Sequence, residues 1–390
     1  MSGMRLKHNF LLQCLLLVLG LNSCVYDYTP HDARLQGLDS PLLVVDGDIL
    51  VGDISRVKLS FTESILGDEE TVPLGCTVMV EGESGEIVSA CAVEDEPGVY
   101  LADTRELDLD GKYRLVISIP GRGEYVSEFK SVMISPPIDV ITWSIAPDST
   151  YVNIEVTTHN SSNEKLYCKW NYTENWESNA VFIPYLEYIP TRNYVRELTP
   201  QEQNERICCF SEAVSNDVCI SNTEKLSENL LSRCVIKKVA NTDSRVNGLY
   251  AITVTQKALD KEGYQYWETM KKNMGETGGI FSAQPSEYRG NIRSLTNGAE
   301  TVLGYIGVST SHTVRQFIDW KSEKIFRTDC DYKILDGDIY FYHYYSLGYR
   351  PVFSVEDVGM FWSQQKCVDC RTYSNSTKPD FWPEKENESK

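Results

Sequence analysis

The sequence predicts a mainly β protein: an amino-terminal β-sandwich, then a larger β-rich domain with one or two helices and disulfide-stapled loops. Three observations carry this. From residue 41 to about 135, short alternating apolar runs recur at strand spacing, each closed by turn residues, with no helical period. Apolar side chains at helical spacing stand out over residues 259–274, at Leu259, Gly263, Tyr266, Trp267, Met270 and Met274. Twelve cysteines follow or lie within an apolar leader, which points to an exported, oxidised chain.

Arg5, Lys7 and His8 precede an apolar run over residues 10–21, the layout of a signal peptide spanning residues 1–23. A bilayer span needs about 20 apolar residues, so this run is too short to persist as an anchor. Leu21-Asn22-Ser23-Cys24 resembles the bacterial lipobox, although Asn22 departs from its usual pattern. That resemblance makes Cys24 the lipidated residue. Residues 24–39 are polar and turn-rich, as a short tether between lipid and fold would be.

The sandwich is placed at residues 40–135. Leu42-Leu43-Val44-Val45 stops at Asp46-Gly47-Asp48, residues 56–61 alternate, and residues 113–119 run to Pro120-Gly121 before residues 124–134 return. Gly98-Val99-Tyr100 and Gly111-Lys112-Tyr113 set a tyrosine after a glycine turn, a pattern similar to immunoglobulin-like and transthyretin-like modules. Two β-rich runs flank Gly82-Glu83-Ser84-Gly85. A hairpin centred on that turn sets Val80 opposite Ile87, Val78 opposite Ser89 and Cys76 opposite Cys91, which predicts a Cys76-to-Cys91 disulfide. Closing a loop of about 15 residues contributes roughly 3 kcal/mol in the chain-entropy model. Two inert buried thiols are the competing reading.

Ser135-Pro136-Pro137-Ile138 is hostile to helix and marks a boundary, with the second domain at residues 138–382 and a charged tail at 383–390. Strands are expected over 151–158, 166–172, 250–256, 301–308, 315–320 and 339–345. The polar stretch up to about residue 228, which carries Cys208, Cys209 and Cys219, reads as long loops held by disulfides. Cys367-Val368-Asp369-Cys370 is a C-x-x-C without a second such pair. In an exported chain it reads as disulfide cysteines, with Cys330 a further candidate; zinc completed by Cys330 with His343 or His312 is the alternative. The run Ile339-Tyr340-Phe341-Tyr342-His343-Tyr344-Tyr345 offers Tyr340, Tyr342, Tyr344 and Tyr345 as flat amphipathic binding faces. A strand buried on both faces is the competing reading.

Several landmarks together carry a resemblance: the lipobox, Trp170-Asn171-Tyr172-Thr173-Glu174, Tyr264-Gln265-Tyr266-Trp267, Gly278-Gly279-Ile280-Phe281 with Gln284-Pro285, Gly290-Asn291-Ile292, Val302-Leu303-Gly304-Tyr305, Cys367-Val368-Asp369-Cys370-Arg371 and Lys378-Pro379-Asp380-Phe381-Trp382. They resemble a Bacteroidota lipoprotein family, domain of unknown function 4249. The resemblance implies an outer-membrane lipoprotein that works beside a TonB-dependent receptor; the surface is the expected face, with the periplasm as the alternative.

The 56 acidic and 37 basic side chains give a net charge of −19, and no basic cluster is present, which excludes a nucleic-acid binder. No H-E-x-x-H, G-x-S-x-G, P-loop or G-x-G-x-x-G motif occurs, so no catalytic residue, resident metal or cofactor is assigned. Asp46-Gly47-Asp48 and Asp336-Gly337-Asp338 lack the further carboxylates of a calcium loop and read as turns. The expected role is therefore binding: an accessory to a TonB-dependent transporter that captures a ligand or acts as a lid. A structural or adhesive surface module is the alternative, and a hydrolase using a carboxylate pair is a third reading, since such a pair has no fixed sequence spacing.

Overall fold

The computed structural model of the protein describes residues 41–62, 75–162, 164–275 and 290–384. The signal peptide, the tether with Cys24, the Gly278-Gly279 motif and most of the charged tail lie outside the described residues.

Alternating burial builds the first sandwich. In Lys112–Ile119, for example, Tyr113, Leu115, Ile117 and Ile119 point inward and the residues between them outward. One sheet runs in the order Leu43–Gly47, Ile54–Phe61, Val99–Asp103, Cys91–Ala92. The facing sheet runs Ile292–Ser294, Gly123–Ser127, Lys112–Ile119, Thr77–Gly82, Ile87–Ser89. The sandwich is thus not contiguous in sequence. Ile292–Ser294 pairs with Gly123–Ser127, Val308–Ser309 lies parallel to Ile49–Leu50, and Ile292, Val302, Ile306 and Val308 join the same core as Leu43 and Tyr125. Asn291 locks this returning segment internally: its side chain donates to the Ile306 carbonyl and accepts from the Ile306 amide, each at 2.8 Å. Gly304, at φ +131°, lets the segment approach the first strand; a Cβ there would collide with the Val45 carbonyl oxygen. In place of the strand expected over 301–308, an extended segment meets Leu43–Gly47 through a Val44–Leu303 bridge.

The predicted disulfide between Cys76 and Cys91 is not formed. The hairpin registers Met79 with Ser89, Val80 with Val88 and Glu81 with Ile87, one residue away from the predicted register. Gly85, at φ +102°, closes a turn in which Gly82 N–H donates to the Glu86 carbonyl, so the hairpin is centred on Ser84. After Ala90 the chain crosses to the other sheet, where Cys91 pairs with Leu101. Cys91 is therefore exposed on one sheet while Cys76 is buried at the end of the other.

A second sandwich packs the three strands Ile138–Ile145, Tyr151–His159 and Leu230–Ala240 against a sheet ordered Cys208–Val214, Tyr167–Asn179, Leu249–Ala258, Ser311–Asp319. Its core holds Trp170, Tyr172, Tyr250, Trp320 and aliphatic residues of both sheets. Tyr167–Asn179 runs well past the expected end at residue 172, and the expected loops hold real elements: a hairpin of Leu186–Ile189 with Tyr194–Glu197, then the helix Pro200–Ile207. Thr199 and Glu202 close that helix with a capping box. The helix expected over 259–274 is present as Lys261–Gly275. Asp46-Gly47-Asp48 is not the expected turn: Asp46 and Gly47 continue the first strand, and across the junction of the two sandwiches Lys257 Nζ lies 2.8 Å from Asp48.

The third unit is a small lobe. Lys333–Leu335, Gly359–Gln364 and Tyr349–Val355 form a sheet beside the 186–197 hairpin, over a core of Tyr188, Leu335, Phe341 and Trp362. The aromatic run expected as a strand is instead a turn of 3-10 helix, Asp338–Tyr340, leading into the α-helix Phe341–Ser346. An unbroken aromatic run shows neither a period of two nor one of 3.6, and the tertiary contacts decide between them: Phe341, Tyr344 and Tyr345 turn one face to the core.

Candidate functional site

Among the described residues, two disulfides brace this lobe: Cys330 to Cys367 and Cys209 to Cys370, with Cα separations of 5.9 and 5.6 Å. The C-x-x-C cysteines thus pair with two different partners. Cys330 is bonded to Cys367, which removes it as a zinc ligand, and no group of three or more His, Cys, Asp or Glu is placed to hold a metal among the described residues. His312 Nδ1 accepts from the Ile138 amide at 3.1 Å, and His159 contacts Asp139 at 2.8 Å.

Between the 186–197 hairpin, the helix Pro200–Ile207, the aromatic helix and the short helix Gln365–Val368 lies a cavity of about 210 Å³. Pro184, Leu186, Pro351 and Val368 supply apolar wall, and Glu187, Arg206, Tyr345, Arg350, Gln365, Asp369 and Arg371 supply polar groups. Most of these charges are paired. Glu187 takes Arg206 at 2.6 Å on one oxygen and Arg196 on the other, and Arg196 also reaches Glu202 at 2.6 Å. Burial alone raises the Glu187 carboxyl, but Arg206 and Arg196 hold it below its ordinary value. Arg371 grips Asp369 with two bonds, Nε at 2.8 Å and a terminal nitrogen at 2.7 Å.

Arg350 differs. It donates to the carbonyls of Tyr345 and Tyr349 and, at 2.7 Å, to Gln365 Oε1, all neutral acceptors. It makes no ion pair among the described residues, and burial pulls the guanidinium below its ordinary value, against the weaker opposing pull of Tyr345 and Asp369. Arg206 Nε is buried with no hydrogen-bond partner. Since Glu187 and Asp369 are each matched by an arginine, the pocket carries one cationic charge in excess.

The tyrosines divide. Tyr345 lines this pocket, and Tyr344 packs on the lobe's core. Tyr340 and Tyr342 stand in solvent, 53% and 63% exposed, beside exposed Ile339 and Leu347. The pocket's arginines and Glu187 were not singled out in the sequence, because helix, hairpin and sheet bring them together from distant positions. One signal was local: Arg350 follows the aromatic run closely, and Arg371 adjoins Cys370.

A family model, domain of unknown function DUF4249, matches residues 28–315, well over half of the chain. The chain belongs to the DUF4249 family. The match takes in the first sandwich, most of the second, Glu187 and Arg206, and ends before Tyr345, Arg350 and Arg371. No curated protein matches the chain. Among solved structures, similar chains include a DUF4785 family protein from Legionella pneumophila, at 9% identity and TM-score 0.18, with 55% of this chain and 52% of that chain covered. Trypsin-activated alpha-2-macroglobulin from Escherichia coli is similar at 9% identity and TM-score 0.19, over 57% of this chain and 15% of that one. A mutant Salmonella alpha-2-macroglobulin gives 11% identity and TM-score 0.18, over 81% of this chain and 16% of that one. The DUF4249 chain thus spans about half the length of the Legionella protein and a small part of each macroglobulin.

Proposed function

We propose that this DUF4249 protein is a lipid-anchored binding protein of the Bacteroidota outer membrane, facing the surface and serving a TonB-dependent transporter in ligand capture or as a lid. The observation that carries the reading is the preformed pocket, whose walls are tied together by the Cys209–Cys370 and Cys330–Cys367 bonds. Bridging the walls covalently lowers the ordering cost of binding. Disulfides are also at home in an exported chain, in line with the leader and with Ser23-Cys24 as its lipobox. A surface interaction module is the second reading, favoured by the exposed group Ile339, Tyr340, Tyr342 and Leu347.

Mild-detergent purification of carboxy-terminally tagged protein from its native envelope, with mass spectrometry of what accompanies it, tests the first reading. A TonB-dependent receptor in near-equal amount supports it. Lipidated protein that comes down alone, or with a different surface protein, overturns it.

A further inference from the structure

We propose that the pocket at Arg350 is a carboxylate-binding site, taking a small organic acid or the free carboxyl terminus of a short peptide; this deepens, and rests on, the reading of that pocket as a ligand site. Four observations lead there. Arg350 is a half-buried guanidinium whose hydrogen-bond partners are all neutral, so the charge is partly desolvated and left without a counter-ion among the described residues. Its plane is fixed by those bonds and by the Tyr345 ring, 4.0 Å below, which orients the remaining donor edge before any ligand arrives. The carboxylates that could satisfy it internally are committed elsewhere, Glu187 to Arg206 and Arg196, and Asp369 bidentately to Arg371. Finally, Arg206, which lines the same pocket, has a buried Nε without a hydrogen-bond partner.

Size and lining narrow the class. A cavity of about 210 Å³ is smaller than the usual range of about 300–1,000 Å³ for ligand sites, so it suits one terminal group with a short apolar body rather than a large ligand. Pro184, Leu186, Pro351 and Val368 give that body an apolar wall. A single excess charge matches a monoanion, and a planar guanidinium matches a planar carboxylate. In a chain of net charge −19, a locally cationic pocket also favours an approaching acid over its amide.

Calorimetric titration of the full-length, detergent-solubilised protein with isosteric pairs tests this: N-acetyl-L-leucine against N-acetyl-L-leucinamide, and Ala-Ala-Leu against its carboxyl-terminal amide, with inorganic phosphate as competitor. The acids are expected to bind at least tenfold more tightly than the amides, and added salt should weaken the acids alone. Arg350→Met should abolish the preference for acid; Arg350→Lys, which keeps the charge but loses the fork, should retain part of it and covers the case in which the methionine variant fails to fold. Tighter binding of the tripeptide than of acetyl-leucine assigns a peptide terminus, and the reverse order assigns a free organic acid; both support the site. Equal binding of acid and amide overturns the carboxylate assignment while leaving the pocket a ligand site. Absence of saturable binding by either acid, stronger binding of phosphate than of the acids, or a preference that survives Arg350→Met in a folded variant overturns it as well. Recovery of the receptor in the envelope purification is read separately, so failure of the acid series and failure of the transporter reading are distinguishable.

Discussion

The Arg350 guanidinium sits 4.0 Å from the centroid of the Tyr345 ring, at the wall of the pocket. The contact joins a residue of the aromatic helix to the first strand that follows it, and it places one tyrosine of the run, unlike Tyr340 and Tyr342, against the site. A cation–π contact contributes about 1 kcal/mol at a partly exposed position. Tyr345→Leu is therefore expected to weaken N-acetyl-L-leucine binding about fivefold. Tyr342→Leu should leave it unchanged. Calorimetry on both variants checks the pair, and equal losses would remove Tyr345 from the site.

The disulfides should govern the stability of the small lobe. They close separations of 161 and 37 residues, for which the chain-entropy model gives about 5 and about 4 kcal/mol. Replacing Cys330 and Cys367 together by serine is expected to cost about 2–4 kcal/mol, the range native bonds of this kind show. Urea denaturation followed by Trp362 fluorescence, in a chain whose other tryptophans are replaced by phenylalanine, reports the lobe directly. An unchanged midpoint would show that packing alone holds it.

Lys169 makes stability depend on alkaline pH. It is buried beside the ion-paired Asp48 and Lys257, with its ammonium 3.2 Å from the Trp267 ring centroid, and burial pulls it down to about 8 from an ordinary 10.5. Between those values the unfolded chain holds a proton that the folded chain has released, so this group makes stability rise with pH across that window. Below about 8 both states are protonated, and folding bears a constant cost of burying the charge. Lys169→Met is expected to remove this part of the rise and to increase stability at pH 7. The difference between the urea midpoints of wild type and variant, measured from pH 7 to 10.5, should shrink as pH increases; a constant difference would contradict the assignment.

Asp48 has the opposite dependence. Burial raises it, but Lys257, Lys169 and the Gly307 amide together bring it below 3.8, so its contribution is present above that value and is lost as pH falls through the lower folded one. Asp48→Asn should flatten the acid side of the stability profile of the junction, and an unaltered acid limb would show that the ion pair contributes nothing there.

Glu174 is a buried carboxylate of the second sandwich, 1% exposed, accepting from the Tyr250 hydroxyl at 2.9 Å and lying 3.1 Å from Arg245 and 3.4 Å from Lys237. Glu174→Leu strands Lys237 and a buried hydroxyl while Arg245 keeps Asp243 at 2.9 Å, and a loss of about 3 kcal/mol is expected. Chemical denaturation measures it; a loss under about 1 kcal/mol would mean the cations reach solvent when the carboxylate is gone.

Much of the fold was legible in local pattern. Alternation in residues 113–119 reappears as a strand with the expected faces, and the helical spacing in 259–274 as the helix Lys261–Gly275. Elements whose period depends on a distant partner were not legible. The all-aromatic run gave no contrast between faces, and the polar stretch before residue 228 concealed a long strand, a hairpin and a capped helix whose stabilising contacts lie elsewhere in the chain. Of the site, Tyr345 and the C-x-x-C cysteines could be named, while Arg350, Arg206 and Gln365 look like ordinary surface residues until the hydrogen bonds around them are known.

By itself the sequence determined the β-rich class, the acidic balance and the membership of a disulfide-bearing set for Cys330, Cys367 and Cys370. These depend on composition and on residues close together in the chain. Tertiary structure decided which cysteines meet, that residues 290–309 complete the first sandwich, and that Arg350 is left at the pocket with neutral partners only. Each of those depends on which distant segments come together, and that follows from burying every apolar face at once rather than from any local period.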